Sequence, residues 1–136
     1  MAVGTAAIAF IAVSGTAAQA AQTGSGKAYG GCTNSVTLWR TGGTVYANAK
    51  MTCKKKGLIL RPTVALSGNN GKTFKSDGKA CRKATTCTTP TVSVKATKGW
   101  TYRASNSGNA TLAILGVDDE FWPISSVAHT TYKAKS

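Results

Sequence analysis

The sequence has few acidic residues. Its 136 residues include 17 Lys and Arg but only 4 Asp and Glu, so the net charge reaches +13 although just 15% of the residues are charged. Glu, Leu and Gln, which favour helices, are also scarce, and their scarcity favours a β protein. The length is that of a single domain, and 42% hydrophobic residues suffice for one small core.

Motifs for catalysis are also missing. The nearest serines to the single histidine His129 are Ser125 and Ser126, and no G-x-S-x-G turn surrounds them, which argues against a Ser-His-Asp hydrolase. A zinc site from Cys81, Cys87 and His129 would need reduced cysteines, which an exported protein disfavours. We therefore predict a protein that is not an enzyme and that holds no metal or cofactor.

The N-terminus lacks a Lys or Arg before its apolar run but otherwise has the form of an export signal. Residues 2–13 are almost wholly apolar, and Ala18-Gln19-Ala20 supplies the small side chains that a signal peptidase requires. The run breaks at residues 14–16, so it is too short for a membrane-spanning helix of about 20 residues. We predict a secretory signal peptide at residues 1–20 and a secreted, extracellular chain with no membrane attachment after cleavage.

The residues after the predicted cleavage point are small and polar. This composition predicts a flexible N-terminal arm at residues 21–30, followed by a single domain at residues 31–136. The arm's candidate partner-binding residues are Ala21, Gln22, Thr23, Gly24, Ser25, Gly26 and Lys27.

A hairpin is the best-defined local structure. Apolar and polar residues alternate from Val45 to Cys53, which is the period of a half-buried strand. The two-residue turn Gly42-Gly43 pairs Thr41 with Thr44, so residues opposite each other have numbers that sum to 85.

This register also predicts the disulfides. Cys32 lies opposite Cys53 on a non-hydrogen-bonded rung, where the α-carbons are about 4.5 Å apart and a disulfide can form. The remaining pair, Cys81 and Cys87, then closes a short loop of its own.

Further strands follow downstream. A third strand runs from Leu58 to Leu66 with Pro62 at an edge or bulge, and residues 91–96 and 100–105 form a second hairpin across Thr97-Lys98-Gly99. Residues 111–117 and 125–135 supply the last strands. The sequence thus predicts an all-β fold, a small antiparallel β-sandwich of the immunoglobulin-like kind with seven or eight strands and two disulfides.

A basic patch occupies the middle of the sequence. It comprises Lys50, Lys54, Lys55, Lys56, Arg61, Lys72, Lys75, Lys79, Arg82 and Lys83, with Asp77 as the single acid between them. One interpretation is a surface for a polyanion such as a cell-wall polymer, and the other is a solvated face that resists aggregation. Nucleic acid is disfavoured because only one aromatic residue, Phe74, lies among these charges.

Two aromatic features remain open. Asp118, Asp119, Glu120, Phe121 and Trp122 form an acidic-aromatic patch, which we predict to be an exposed turn that serves as a contact surface. Trp39 with Tyr46, and Trp100 with Tyr102, each share one face of the predicted sheets. Each pair is either an exposed platform for sugar or protein, or is covered by the second sheet.

Two segments, VTLWRTGGTVYANAKMTC and LILRPTVALSG, resemble small secreted disulfide-bonded proteins of actinobacteria, as does the Ala/Thr/Gly-rich, Lys-basic composition. Among these the chain looks most like the small adaptor subunit of umbrella toxin particles. The resemblance implies an adaptor that joins a lectin-like or protease-like subunit to a large toxin subunit. It also implies that the arm near residues 21–29 is donated as a strand to one partner, which is β-augmentation.

We therefore expect a non-enzymatic adaptor in a hetero-complex of secreted proteins. The alternative is a solitary basic module that binds a cell-wall polymer or another polyanion.

Overall fold

Eleven strands and no helix make up the part of the chain that the computed structural model describes, which is residues 18–28, 30–114, 117–121 and 128–136. The strands are β1 (Ala18–Ser25), β2 (Cys32–Thr41), β3 (Thr44–Arg61), β4 (Thr63–Gly68), β5 (Thr73–Gly78), β6 (Cys81–Thr88), β7 (Val92–Lys95), β8 (Thr101–Asn106), β9 (Asn109–Ile114), β10 (Val117–Phe121) and β11 (Ala128–Lys133). They form two antiparallel sheets, which confirms the predicted all-β sandwich; the described strands number eleven rather than seven or eight.

The first sheet is built around the long strand β3. Its order is β1-β2-β3-β9-β10, and β6 and β7 also pair with β3. Ala47 pairs with Leu38 of β2 and with Val92 of β7, so these two strands lie on opposite edges of β3. Further along, Leu60 pairs with Cys81 of β6 and Ala110 of β9 in the same way.

The predicted hairpin register is correct over its whole length. Residues of β2 and β3 pair from Thr41 with Thr44 to Cys32 with Cys53, and every pair sums to 85.

The second sheet has the order β11-β8-β4-β5. Its edge strand β11 lies within the predicted last segment, residues 125–135.

The third predicted strand is divided at Pro62. The first part belongs to β3 in the first sheet, and the part from Thr63 onward is β4 in the second sheet. Because proline has no N–H to donate to a ladder, Pro62 ends the pairing of one sheet where the chain crosses to the other.

The second predicted hairpin is wrong. Strands β7 and β8 are joined by the expected tight turn, in which Gly99 has φ +84°, but they lie in opposite sheets. The Tyr102 hydroxyl donates to the Lys95 carbonyl oxygen at 2.9 Å and accepts from the Thr97 N–H at 2.7 Å. The two strands could form a hairpin in one sheet or lie in two facing sheets. Alternating residues point inward in both cases, so the hydrophobic pattern alone does not distinguish them.

The core of the described part consists of two hydrophobic clusters. The larger one brings together buried side chains from both sheets, such as Leu38 and Leu66, and includes the fully buried Tyr102. The smaller one contains Met51, Leu60, Leu112 and the cysteines 32, 53 and 87. Packing of residues from both sheets in one cluster is what makes the fold a sandwich.

Two buried asparagines, absent from the sequence predictions, join the sheets. Asn34 of β2 and Asn106 of β8 are both fully buried. The Asn106 amide donates to Asn34 Oδ1 at 3.1 Å and to the carbonyl oxygens of Ser35 and Lys50 at 3.0 and 3.2 Å. Its oxygen accepts the N–H groups of Thr63 and Gly108 at 3.1 and 3.0 Å, and Asn34 donates to the Gly108 carbonyl oxygen.

This network satisfies the polar groups that lie between the sheets. Five hydrogen bonds to one side chain fix the corner where the chain leaves β8 for β9.

Candidate binding surfaces

Strand β1 occupies the position at which the sequence predicted a flexible arm. Gln22 to Ser25 pair with Leu38 to Ser35 of β2, and Ala18 and Gln19 pair with Thr41 and Arg40. The edge of β2 offers unpaired N–H and C=O groups, and residues 18–25 satisfy them whatever their side chains. The difference from the sequence prediction therefore arises from main-chain hydrogen bonding, which composition does not encode.

The pairing of β1 shifts register between Gln19 and Gln22. The predicted cleavage point, between Ala20 and Ala21, falls within this shift. Residues 1–17 of the predicted signal peptide lie outside the described residues. If cleavage occurs there, the pairs from Gln22 to Ser25 remain in the exported chain.

Side chains contribute little to holding β1 in place. Residues 21–25 are exposed or half-buried, and none of them belongs to either hydrophobic cluster. Thr23 Oγ1 lies 3.4 Å from Thr37 Oγ1, and the Gly26 N–H donates to the Asn34 carbonyl oxygen at 2.9 Å. The strand is therefore attached mainly through its backbone.

Gly24 fits β1 against the second sheet. A Cβ at this position would overlap the carbonyl oxygen of His129 on β11. Only a residue without a side chain permits so close an approach of two backbones. Gly24 is thus the position at which the docking of β1 is most sensitive to substitution.

Three consecutive lysines form a bulge in the middle of β3. Thr52 pairs with Thr86 of β6 and Gly57 pairs with Ala84, so four residues of β3 lie opposite one residue of β6. Lys54, Lys55 and Lys56 are in this segment, which we call the lysine bulge, and all three are exposed. The extra residues cannot all pair, which leaves the side chains directed to solvent.

Two more cations border the lysine bulge. Arg82 and Lys83 of β6 are exposed and follow directly on Cys81, whose disulfide to Cys87 closes this part of the strand. Lys83 has φ +49°, a left-handed conformation that marks a distortion of β6, and it lies opposite Leu58, two residues beyond the bulge. Like charges concentrated in one exposed area attract anions over a distance of about 10 Å at 0.1 M salt.

The other residues of the predicted basic patch lie on several different elements. Lys50 lies on the outer face of the first sheet, Lys72 and Lys75 belong to the β4–β5 hairpin, and Lys79 lies between β5 and β6. Arg61 is engaged internally: its guanidinium donates to Asn109 Oδ1 and Thr111 Oγ1, each at 2.9 Å.

Both predicted disulfides are correct. Cys32 and Cys53 are bonded with α-carbons 4.0 Å apart, and Cys81 and Cys87 are bonded with α-carbons 5.8 Å apart. No free cysteine remains.

The two aromatic pairs have different environments. The rings of Trp39 and Tyr46 are stacked, with centroids 5.6 Å apart and planes inclined by 16°, and both residues are half-buried on the face away from the second sheet. Tyr102 instead is fully buried and contacts Trp100 and Tyr132 in the core. Trp39 and Tyr46 thus face outward, and the platform interpretation is wrong for the other pair.

The acidic-aromatic patch is not a turn where it is described. Its residues 118–121 belong to strand β10, which pairs with β9 through Glu120 with Leu112 and Phe121 with Thr111. Hydrogen bonding to the edge of β9 extends this segment as a strand. Trp122 lies outside the described residues, so its role as a contact residue stays a prediction.

The remaining candidate site residues are His129, Ser125 and Ser126. His129 is exposed on β11, while Ser125 and Ser126 lie outside the described residues. Over the described ranges no group of three or more His, Cys, Asp or Glu side chains is arranged to hold a metal ion. The same residues contain no helix long and apolar enough to cross a membrane.

No protein-family model, curated protein or solved structure matches this chain.

Proposed function

We propose that this chain is a secreted, non-enzymatic adaptor that binds other secreted proteins by donating strand β1, and that it bridges subunits of an extracellular toxin complex. The predicted export signal and the two disulfides support secretion. The proposal rests on one observation above the others, namely that β1 is held mainly by its main chain. The resemblance to umbrella toxin adaptors suggests the kind of complex.

The energetics of β1 suit donation. Moving the strand to the edge of a partner sheet exchanges one set of main-chain hydrogen bonds for an equivalent set. Because residues 21–25 belong to neither core cluster, their release exposes little apolar surface. The remaining sandwich keeps both clusters and both disulfides.

Locking β1 to its own sheet tests the proposal. Thr23 and Thr37 lie directly opposite each other with hydroxyls 3.4 Å apart, so Thr23→Cys with Thr37→Cys can form an added bridge. The measurement is the amount of secreted partners that co-purify with the tagged chain from native culture supernatant. We expect this amount to be at least tenfold lower with the oxidised variant than with the original chain. Its melting temperature should stay the same or rise.

The matched control adds a bridge that does not involve β1. Ala65 of β4 and Ser76 of β5 are directly opposite in the second sheet, and Ala65→Cys with Ser76→Cys should leave partner recovery unchanged. Partner recovery equal to the original with β1 locked would show that β1 is not donated. Recovery of the original chain alone, at moderate salt, would contradict the adaptor function itself.

Releasing β1 should have the opposite effect. Gly24→Ala places a methyl group against the His129 carbonyl oxygen, so the strand should leave the edge and become available to partners. We expect partner capture to become at least as fast as in the original chain. Gly43→Ala is the control, because nothing lies within 4 Å of a Cβ there. Slower capture by the Gly24 variant would contradict donation of β1.

A second candidate function is a basic module that binds a polyanionic cell-wall polymer. The lysine bulge with Arg82 and Lys83 favours it, because these five exposed cations lie around one distortion of the β3–β6 pair. Binding to a polyglutamate column should weaken at least tenfold between 50 and 200 mM salt. Locking β1 should have no effect on this binding.

Charge position separates this function from a general effect of net charge. Replacing Lys54, Lys55 and Lys56 together by Gln should weaken polyglutamate binding several-fold. Replacing the exposed Lys98, Lys133 and Lys135 by Gln removes the same charge elsewhere and should have a smaller effect. Equal effects of the two triple substitutions would show that the lysine bulge is not a site.

A further inference from the structure

The outer face of the first sheet presents its side chains in ordered rows. Alternation along β2 and β3 directs Val36 and Leu38 into the core and their neighbours outward. The register places the outward side chains of β1, β2, β3, β6 and β7 in five rows: Thr33, Thr52 and Thr86; Ser25, Ser35, Lys50 and Thr88; Thr23, Thr37 and Asn48; Trp39, Tyr46 and Ser93; and Thr41, Thr44 and Lys95.

The composition of these rows is selective. The row of Thr41 also includes Ala18 of β1, and the other members are hydroxyl and amide residues, one stacked aromatic pair and two lysines, with no acid. Neighbouring strands lie about 4.8 Å apart and alternate residues of a strand about 7 Å apart. The face is therefore a regular lattice of hydrogen-bonding groups around one aromatic centre.

The aromatic centre offers a surface for sugar rings. Trp39 and Tyr46 are half-buried, stacked on each other, and belong to neither hydrophobic cluster. The C–H groups of a pyranose carry a slight positive charge and are attracted to the negative face of an aromatic ring. Hydroxyls beside the rings, such as those of Thr37 and Ser93, can donate hydrogen bonds to sugar hydroxyls and accept hydrogen bonds from them.

Two exposed lysines flank the aromatic centre. Lys95 is in the adjacent row, about 7 Å along the strand direction, and Lys50 is four residues from Tyr46 along β3, about 13 Å away. Because the rows contain no acid, these cations are available to negative groups on a ligand. The charge of the face thus complements an anionic polymer rather than a neutral one.

We infer that the outer face of the first sheet binds an anionic polysaccharide, with pyranose rings against Trp39 and Tyr46 and carboxylates or phosphates at Lys50 and Lys95. This inference rests on the second candidate function, polyanion binding, and goes beyond it by naming the ligand class and, in addition to the lysine bulge, a surface that recognises sugar as well as charge. The aromatic rings and the rows of hydroxyl groups bind the sugar rings, and the lysines bind the negative groups of the polymer.

Three polymers test both requirements in affinity electrophoresis of the secreted chain with its disulfides intact. Polygalacturonate carries sugar and charge, polyglutamate carries charge alone, and dextran carries sugar alone. We expect polygalacturonate to bind at least tenfold more tightly than the other two. Trp39→Ala with Tyr46→Ala should remove this preference and leave polyglutamate binding within twofold of the original.

Matched controls use the second sheet. Phe74 on β5 is 57% exposed, so Phe74→Ala removes an aromatic side chain from a different surface and should change polygalacturonate binding less than twofold. Lys50→Gln with Lys95→Gln should weaken polygalacturonate binding at least fivefold. Lys72→Gln with Lys75→Gln, which removes the same charge from the β4–β5 hairpin, should weaken it less than twofold.

The outcomes separate this inference from the function beneath it. Equal binding of polygalacturonate and polyglutamate, unchanged by the aromatic substitutions, would overturn the polysaccharide site and leave the polyanion function standing. Binding of neither polymer at 50 mM salt would overturn both. Dextran binding as tight as polygalacturonate binding would overturn the anionic requirement. If the aromatic variant does not fold, the lysine pairs decide, because their side chains are exposed.

Discussion

At the scale of single residues, Asn106 connects the two sheets by hydrogen bonds. It is fully buried between the sheets and is the common partner of Asn34, two main-chain N–H groups and two carbonyl oxygens. An unsatisfied buried polar group costs about 1–3 kcal/mol. Because several groups depend on this one amide, the sandwich is held at this corner by hydrogen bonds as much as by apolar packing.

We predict that Asn106→Leu lowers the free energy of unfolding by at least about 3 kcal/mol, because the N–H groups of Thr63 and Gly108 lose their acceptor. Equilibrium denaturation in urea measures the change. Asn48→Leu, on the outer face, makes the same chemical change where water can solvate the neighbours, and it should stay within about 0.5 kcal/mol. Similar losses for both variants would contradict the importance of the buried network.

At the scale of elements, the β2–β3 hairpin is fixed at both ends. The Gly42-Gly43 turn sets the register at one end. At the other end, the disulfide joins Cys32 and Cys53, which are 21 residues apart in sequence. A one-residue slip would turn every inward side chain outward and would also separate the two cysteines. The turn and the disulfide therefore specify the same register, as consistent local signals in a foldable sequence do.

Removing the hairpin disulfide should be more damaging than removing the other one. Loop closure predicts that Cys32→Ala with Cys53→Ala lowers the free energy of unfolding by about 3 kcal/mol. Cys81→Ala with Cys87→Ala, which opens a separation of 6 residues, should lower it by about 2 kcal/mol. Denaturation of both variants beside the original chain measures the two values. A larger loss for the shorter loop would contradict this order.

At the scale of the whole molecule, exposed positive charges occur on strands of both sheets. All 17 Lys and Arg residues lie in the described part, and 15 of them are exposed, Arg40 and Arg61 being half-buried. A net charge of +13 repels itself in the compact state, which lowers stability but keeps the chain soluble and attracts anionic partners. For the adaptor function proposed above, we expect the same charge to steer encounter with acidic partners.

Self-repulsion predicts a dependence on salt. Raising NaCl from 10 to 200 mM should raise the melting temperature by about 4 °C, since screening of the charges contributes about 1 kcal/mol. Replacing Lys54, Lys55 and Lys56 by Gln should raise the melting temperature at low salt and reduce its salt dependence. Thermal denaturation by circular dichroism measures both, and a melting temperature that falls with salt would contradict the prediction.

The sequence by itself determined the β2–β3 hairpin and the disulfides of this protein. Period-two alternation and the Gly-Gly turn were sufficient for the hairpin, its register and both disulfides, because each depends on residues that are near in sequence or directly opposite in one hairpin. The same patterns placed Trp39 and Tyr46 on the outer face.

Only the tertiary structure decided which strands share a sheet and which polar groups meet. The alternating pattern of β7 and β8 fits a hairpin and two facing sheets equally well, and the structure places the strands in opposite sheets. Asn34 and Asn106 are 72 residues apart and come together only when the sheets pack. The pairing of β1 depends on an open edge of β2, and main-chain hydrogen bonds of that kind leave no trace in side-chain composition.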